Sequence, residues 1–216
     1  MTVGYLFDLD KTLVTYDPDV PGIFSNACDA VGVEPTDEAL AAIGPGYVET
    51  FKTFTDSPYL GAARAARDAG LTVDPEAFAA SYIDAELSAT AVPTGIEALL
   101  KKLDCVGVVT NGYGPVQRRK LAETGLDAHI DALVCPGDVE AFKPDDAPFD
   151  EVTAKVPADE YVMVGDSVVY DIEPAARRGY RTVFIDDGTA DDVPDDLVDH
   201  RVSSPEALST LSKPFG

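Results

Sequence analysis

Apolar residues fall into two rhythms along the chain. Short, mainly apolar runs of strand length occur at residues 3–9, 105–110, 132–135, 161–165 and 182–185, and each reads as a buried strand. The first ends in a polar break, not in a two-residue hairpin turn. Each of the other four follows a segment with helical spacing, at residues 93–103, 115–124, 148–155 and 172–178. Strands alternating with helices imply right-handed crossovers, so the expected fold is α/β, a Rossmann-like parallel sheet covered by helices on both faces.

Residues 19–90 break that alternation. Segments 20–31, 37–43, 45–54, 58–69 and 75–89 have helical spacing, Ala-rich composition and Asp, Pro or Gly at their boundaries. The expected division is therefore an inserted all-helical module over 19–90 and a core built from 1–18 and 91–216. Residues 186–199 carry seven Asp with Gly188 and Pro194 and read as a solvated loop, followed by a short strand at 200–203 and a helix at 205–211.

Charge narrows the partners. The 216 residues hold 39 Asp and Glu against 16 Lys and Arg, for a net charge of −23, spread along the whole chain. Such a surface repels nucleic acid and anionic membranes, so neither is expected as a partner. Salt screens the self-repulsion, since the Debye length falls to about 3 Å at 1 M. Scarce lysine and abundant aspartate resemble the composition of cytosolic proteins from salt-in halophiles. Cys28, Cys105 and Cys135 are odd in number and far apart, which argues against a disulfide framework, and with only His129 and His200 a Cys/His zinc site is not expected. No basic, signal-length apolar stretch precedes the first strand and no run reaches the roughly 18 apolar residues of a membrane span. A cytoplasmic location is expected.

Four polar clusters stand at strand ends, where ligands bind in open α/β sheets. Asp8 and Asp10, in Phe7-Asp8-Leu9-Asp10-Lys11-Thr12, are two apart and so share a face of the first strand, roughly 6.5 Å apart along the backbone. Alone, such a pair carries little weight in a chain with 27 Asp. Thr110-Asn111-Gly112 offers a hydroxyl and main-chain amides that can hold phosphoryl oxygens, with Gly112 allowing close passage. Lys143, before Pro144, places an ammonium where negative charge builds up in phosphoryl transfer. Asp166, in Gly165-Asp166-Ser167, adds a second carboxylate to Asp8 for magnesium, and Asp171 either caps the next helix or steadies a metal-bound water.

In this order the clusters resemble the four motifs of the haloacid dehalogenase-like hydrolase superfamily, and the helical insertion resembles the cap of one large branch. Gln117 and Lys120-Leu121 also fit that branch. The resemblance implies a Mg²⁺-dependent phosphatase acting on a small phosphorylated metabolite. Asp8 would be the nucleophile that becomes an aspartyl phosphate, already ionised at neutral pH, and Asp10 the acid and base. Thr110, the Asn111 amide and Lys143 would cradle the phosphoryl group. Asp8, the Asp10 carbonyl and Asp166 would hold the metal, with Asp171 behind them and Thr12 tuning the first loop through hydrogen bonds. The cap would set specificity, through candidates such as Tyr16, Lys52, Arg64 and Tyr82, and would open on hinges at 15–19 and 90–94. A phosphomutase shares every one of these residues. A 2-haloacid dehalogenase shares Asp8 but typically lacks an aspartate at the position of Asp10. Intact Asp8, Asp10, Lys143 and Asp166 argue against a non-catalytic binding protein, and the insertion argues against a receiver domain.

Overall fold

The computed structural model describes residues 1–188 and 193–210. They fall into two compact units, one built from residues 1–15 and the chain from 92 onward, the other from residues 16–91. The chain opens with β1 (Val3–Phe7) and the short β2 (Thr15–Tyr16), then passes through α1 (Val20–Ala30), α2 (Asp37–Phe51), α3 (Pro58–Asp68) and α4 (Pro75–Ala89). After β3 (Thr90–Ala91), helices and strands alternate: α5 (Ile96–Leu100), β4 (Val106–Val109), α6 (Gly114–Thr124) and β5 (Ala132–Val134). There follow α7 (Pro136–Val139), α8 (Asp146–Lys155), β6 (Glu160–Gly165), α9 (Glu173–Arg177), β7 (Arg181–Ile185) and β8 (His200–Val202). Among these, no helix is long and apolar enough to cross a membrane.

The first unit is an α/β fold on a six-stranded sheet ordered β5-β4-β1-β6-β7-β8, parallel throughout. Both faces are buried, which is why the strands read as mainly apolar runs. Alternate side chains enter opposite cores. Tyr5, Phe7, Val106, Val108, Val162 and Val164 face one core with Leu99, Leu100 and Leu121 of α5 and α6. Leu6, Val109 and Met163 face the other with Phe149 and Val152 of α8 and Ala175 of α9. The strand order reverses at β1, whose neighbours are β4 on one side and β6 on the other. A crevice at the carboxyl ends of the strands is expected at that reversal.

The second unit is helical apart from its share of the small β2-β3 pair. Asp19, Thr36 and Asp74 each start a helix by accepting a main-chain N–H, from Gly22, Ala39 and Ala77. An aromatic cluster holds the helices together. Tyr47 meets Tyr59 edge-on at 5.3 Å, Tyr59 meets Tyr82 at 5.8 Å, and Tyr82 stacks on Phe78 at 6.1 Å.

Several segments differ from the sequence expectation. The two helices expected at 37–43 and 45–54 are one, with Pro45 inside it. An interior proline costs about 3 kcal/mol or more, and here the packing of α2 on α3, with Tyr47 against Tyr59 and Gly46 against Gly61 and Ala65, outweighs it. The helix expected at 93–103 shortens to α5, because Gly95 takes a left-handed φ of 91° just before it. The helix expected at 172–178 begins earlier, as a π turn over Val168–Ile172. The helix expected at 205–211 is a 3-10 helix over Pro205–Thr210, with Leu211 outside the described residues. The acidic loop at 186–199 holds a short 3-10 turn at Asp195–Leu197, and its residues 189–192 lie outside the described residues.

Pro45 is exposed and contributes no main-chain donor to α2. Pro45→Ala restores that donor and removes the ring, with a smaller loss from the freer unfolded chain. Chemical denaturation in concentrated KCl is expected to show a gain of about 1–2 kcal/mol; a loss would contradict this account of α2.

Candidate active site

Buried polarity in this protein is concentrated in one place. The buried polar and charged side chains among the described residues are Asp8, Thr12, Thr110, Gln117, Lys120, Lys143, Asp171 and Thr182, and all but Thr182 lie at or beside the carboxyl ends of β1, β4 and β6. Desolvating such groups is costly unless they satisfy one another, so their partners define the site. All of them belong to the first unit.

Backbone pairing carries Asp8 one residue past β1, its N–H donating to the Val164 carbonyl at 2.9 Å. The chain then turns at once. Lys11 adopts a left-handed φ of 61°, and the N–H groups of Leu13 and Val14 both return to the Leu9 carbonyl. This loop projects Asp8 and Asp10 from the sheet end. Beside it, the Thr110 N–H donates to the Val134 carbonyl at 3.1 Å and so continues β4.

One network is built around Lys143. Its Nζ lies 2.7 Å from Asp8 Oδ1 and 2.6 Å from Asp171 Oδ1. The Asn111 side chain fixes the Lys143 backbone from both directions: Nδ2 donates to the Lys143 carbonyl at 2.9 Å, and Oδ1 accepts the Lys143 N–H at 2.7 Å. Asp171 also accepts the Ser167 N–H at 3.1 Å through Oδ2. Gly165 makes room for it, since a Cβ there would collide with the Asp171 carboxylate. Oxygens of Asp8, Asp166 and Asp171 come within 4.8 Å of one another, a set that could hold a metal ion.

Three carboxylates share this space with one buried ammonium, and their titration shows the imbalance. Burial lifts Asp8 to about 7 against the pull of Lys143, with Asp171 and Asp10 adding to the rise. Burial and then the Asp8 charge lift Asp166 to about 6. Burial also raises Asp171, against Lys143. Burial alone would lower Lys143, but Asp171 and Asp8 outweigh it and hold the ammonium above its ordinary range. Burial thus works against the ionised form of Asp8, and Lys143 works for it. Hard oxygen donors short of positive charge are the donor chemistry magnesium takes, so the residues present fit that ion.

A second network surrounds Asp10. Gln117 Nε2 donates to Asp10 Oδ2 at 2.6 Å, and Lys120 Nζ sits 2.8 Å from Asp10 Oδ1. Gln117 Nε2 also reaches Thr110 Oγ1 at 3.0 Å, and that oxygen accepts the Gly112 N–H at 3.1 Å. Gly112 leaves space for the Gln117 amide, which a Cβ would overlap. In the sequence, Gln117 and Lys120 stand only as markers of the branch. The available signal was their i, i+3 spacing, which puts two polar residues on the face of α6 that also carries buried Val116 and Leu121.

Other expectations change. Thr12 is fully buried and its hydroxyl has no hydrogen-bond partner among the described residues, so it serves the first loop by packing. The cap of the turn after β6 is Ser167, which accepts the Tyr170 N–H, because Asp171 is turned inward to Lys143. Of the proposed specificity residues, Tyr82 is buried in the aromatic cluster, Arg64 pairs with Asp56 at 2.8 Å and Lys52 with Glu49 at 3.4 Å. Tyr16 is half-buried in β2.

Comparisons with known proteins bear on the family and the fold. A family model described as haloacid dehalogenase-like hydrolase matches residues 5–185. Phosphoglycolate phosphatase of Cereibacter sphaeroides is 30% identical over 190 residues, covering 86% of this chain and 85% of the relative. Phosphoserine phosphatase of Thermus thermophilus is 33% identical over 99 residues, covering 45% of this chain and 40% of that relative, less than half its length. In fold, the chain is similar to the HAD-hydrolase YfnB of Bacillus subtilis bound to magnesium, with a TM-score of 0.71, 17% identity and 97% of both chains covered.

The titration of the acidic cluster has a measurable sign. Asp8 and Asp166 are raised from 3.8 to about 7 and about 6, so without a cation they cost nothing below pH 3.8, destabilise the fold progressively as pH rises from there to 6 and 7, and by a constant amount above. Mg²⁺ binds the ionised carboxylates. At pH 8 a hundredfold excess over Kd is expected to stabilise the protein by about 2.7 kcal/mol, and the same Mg²⁺ concentration to stabilise it less at pH 5. Thermal unfolding in KCl at both pH values tests this, and an equal or larger gain at pH 5 would contradict it.

Proposed function

Because the chain belongs to the haloacid dehalogenase-like hydrolases, we propose that it is a phosphatase that hydrolyses a small phosphomonoester through a phosphoryl group carried on Asp8. The observation that carries this reading is the second carboxylate. Asp10 leaves the same short loop as Asp8 and is held by Gln117 and Lys120, with 32% of its side chain exposed. An alkoxide leaving group needs a proton, whereas a halide does not, so a held and accessible Asp10 favours phosphoryl transfer over dehalogenation.

In the first step an Asp8 carboxylate oxygen attacks phosphorus, the bond from phosphorus to the ester oxygen breaks, and Asp10 protonates the departing alkoxide. In the second, water gives a proton to Asp10 and attacks the same phosphorus, releasing inorganic phosphate and regenerating Asp8. Lys143 and Thr110 steady the phosphoryl oxygens, with the main-chain N–H of Asn111 beside them, since this chemistry depends on positioning and charge stabilisation. Asp8, Asp166 and the Asp10 carbonyl would hold Mg²⁺, with Asp171 next to them; bound there, it supplies positive charge that offsets the repulsion between an anionic nucleophile and a dianionic phosphate.

The names of the phosphoglycolate and phosphoserine phosphatases support a small phosphorylated metabolite as substrate. A phosphomutase would use the same residues but return the phosphoryl group to an organic acceptor. The acidic surface supports work in a concentrated-salt cytoplasm without nucleic-acid or membrane partners.

Hydrolysis of p-nitrophenyl phosphate in concentrated KCl tests the reading. Wild-type protein with Mg²⁺ is expected to release inorganic phosphate without a phosphorylated acceptor, and a chelator to stop it reversibly. Asp8→Asn is expected to lower kcat by about 10⁴-fold or more. Turnover of 2-chloropropionate without phosphatase activity would overturn the proposal, as would activity surviving in Asp8→Asn.

A further inference from the structure

Lys120 is 2% exposed and Gln117 1% exposed, in a protein with 16 basic side chains among 216 residues, and both point at Asp10. Burying an ammonium and a primary amide is costly, and neither group is on a surface where it could serve solubility. They rise from one face of α6. We propose that Gln117 and Lys120 are positioning residues for the reaction, fixing the Asp10 carboxylate and the Thr110 hydroxyl in the orientations that proton transfer and phosphoryl binding need. This rests on the phosphatase reading above.

The hydrogen-bond inventory gives the reason. A carboxylate has about four lone-pair sites, two on each oxygen. Lys120 bonds to Oδ1 and Gln117 to Oδ2, so both oxygens are held, the plane of the group is fixed, and the proton that Asp10 gives and takes has a defined direction. A freely rotating carboxylate would spread that proton over many directions, and orientation is worth a large share of a proton-transfer rate.

Gln117 acts on the other half of the reaction as well. Its Nε2 carries two hydrogens, one directed to Asp10 Oδ2 and the other to Thr110 Oγ1. Thr110 Oγ1 also accepts the Gly112 N–H, so both of its acceptor sites are filled. The Thr110 hydroxyl hydrogen then serves only as a donor directed elsewhere, as a phosphoryl oxygen requires. One amide thus sets the proton-transfer group as an acceptor and the phosphoryl-holding group as a donor. Reversing the Gln117 amide would place its carbonyl oxygen against a carboxylate, which fixes its orientation.

The test is the dependence of kcat/KM on the leaving group, measured on wild-type, Lys120→Met, Gln117→Leu and Asp10→Asn proteins with Mg²⁺ in concentrated KCl. The substrates are p-nitrophenyl phosphate, whose leaving group departs without a proton, and phenyl phosphate, which depends on one. The ratio of the two kcat/KM values is unchanged by any loss of folded enzyme, so a merely structural role would not move it. In Lys120→Met the ratio of p-nitrophenyl to phenyl phosphate is expected to rise at least about tenfold. Gln117→Leu is expected to raise the ratio too, and to lower both values by a further common factor through Thr110. If Asp10→Asn raises the ratio while Lys120→Met and Gln117→Leu leave it at the wild-type value, the positioning inference is overturned and the phosphatase reading stands. A wild-type protein that hydrolyses neither ester overturns the phosphatase reading and this inference with it, whereas an Asp10→Asn protein with an unchanged ratio overturns the proton-transfer role of Asp10 and, with it, this inference.

Discussion

A lysine ammonium buried between two carboxylates, Lys143 between Asp8 and Asp171, is the constraint around which the site is arranged. A lone buried charge is untenable, and a pair is tolerable only with good geometry and further hydrogen bonds. The surroundings supply both. Asn111 pins the Lys143 backbone, Ser167 donates to Asp171, and Gly165 gives that carboxylate its space. The sheet supplies the rest, since β1, β4 and β6 are adjacent and end together, so residues far apart in sequence meet within hydrogen-bond distance.

Negative charge nevertheless exceeds positive charge around Lys143, and that excess is functional in the proposed chemistry. Burial first, and that excess after it, raises Asp8 and Asp166, and the clustered carboxylates suit a hard cation. Asp10 lies in a different setting. It is tied to Gln117 and Lys120 on α6, and the Gln117 amide joins it to Thr110. One aspartate is thereby placed among other acids, as suits a nucleophile paired with a metal. The other is placed between donors, as suits a group that passes a proton.

Much of this was legible in the sequence. Mainly apolar runs separated by helical segments identify strands buried on both faces, and polar residues at four strand ends, in order, mark the site. What stayed illegible is the partner of each side chain. Gln117 and Lys120 meet Asp10 across 107 and 110 residues, and no local pattern encodes such a contact. Asp171 sits where a helix cap is expected, yet the buried ammonium outcompetes the helix start for its carboxylate. Tyr82 and Pro45 fail for a related reason. Tyrosine on an amphipathic helix can face a cleft or a core, and the aromatic cluster claims it here, while packing of α2 on α3 overrides the local tendency of proline to end a helix.

The central claim is that a phosphoryl group passes through Asp8. Wild-type protein turning over a phosphomonoester with Mg²⁺ in concentrated KCl can be quenched rapidly, reduced with borohydride to convert any acyl phosphate to an alcohol, digested, and mapped by mass spectrometry. The account predicts homoserine at position 8 and at no other aspartate. Turnover with Asp8 unmodified, or reduction at Asp10, Asp166 or Asp171 in its place, would contradict it.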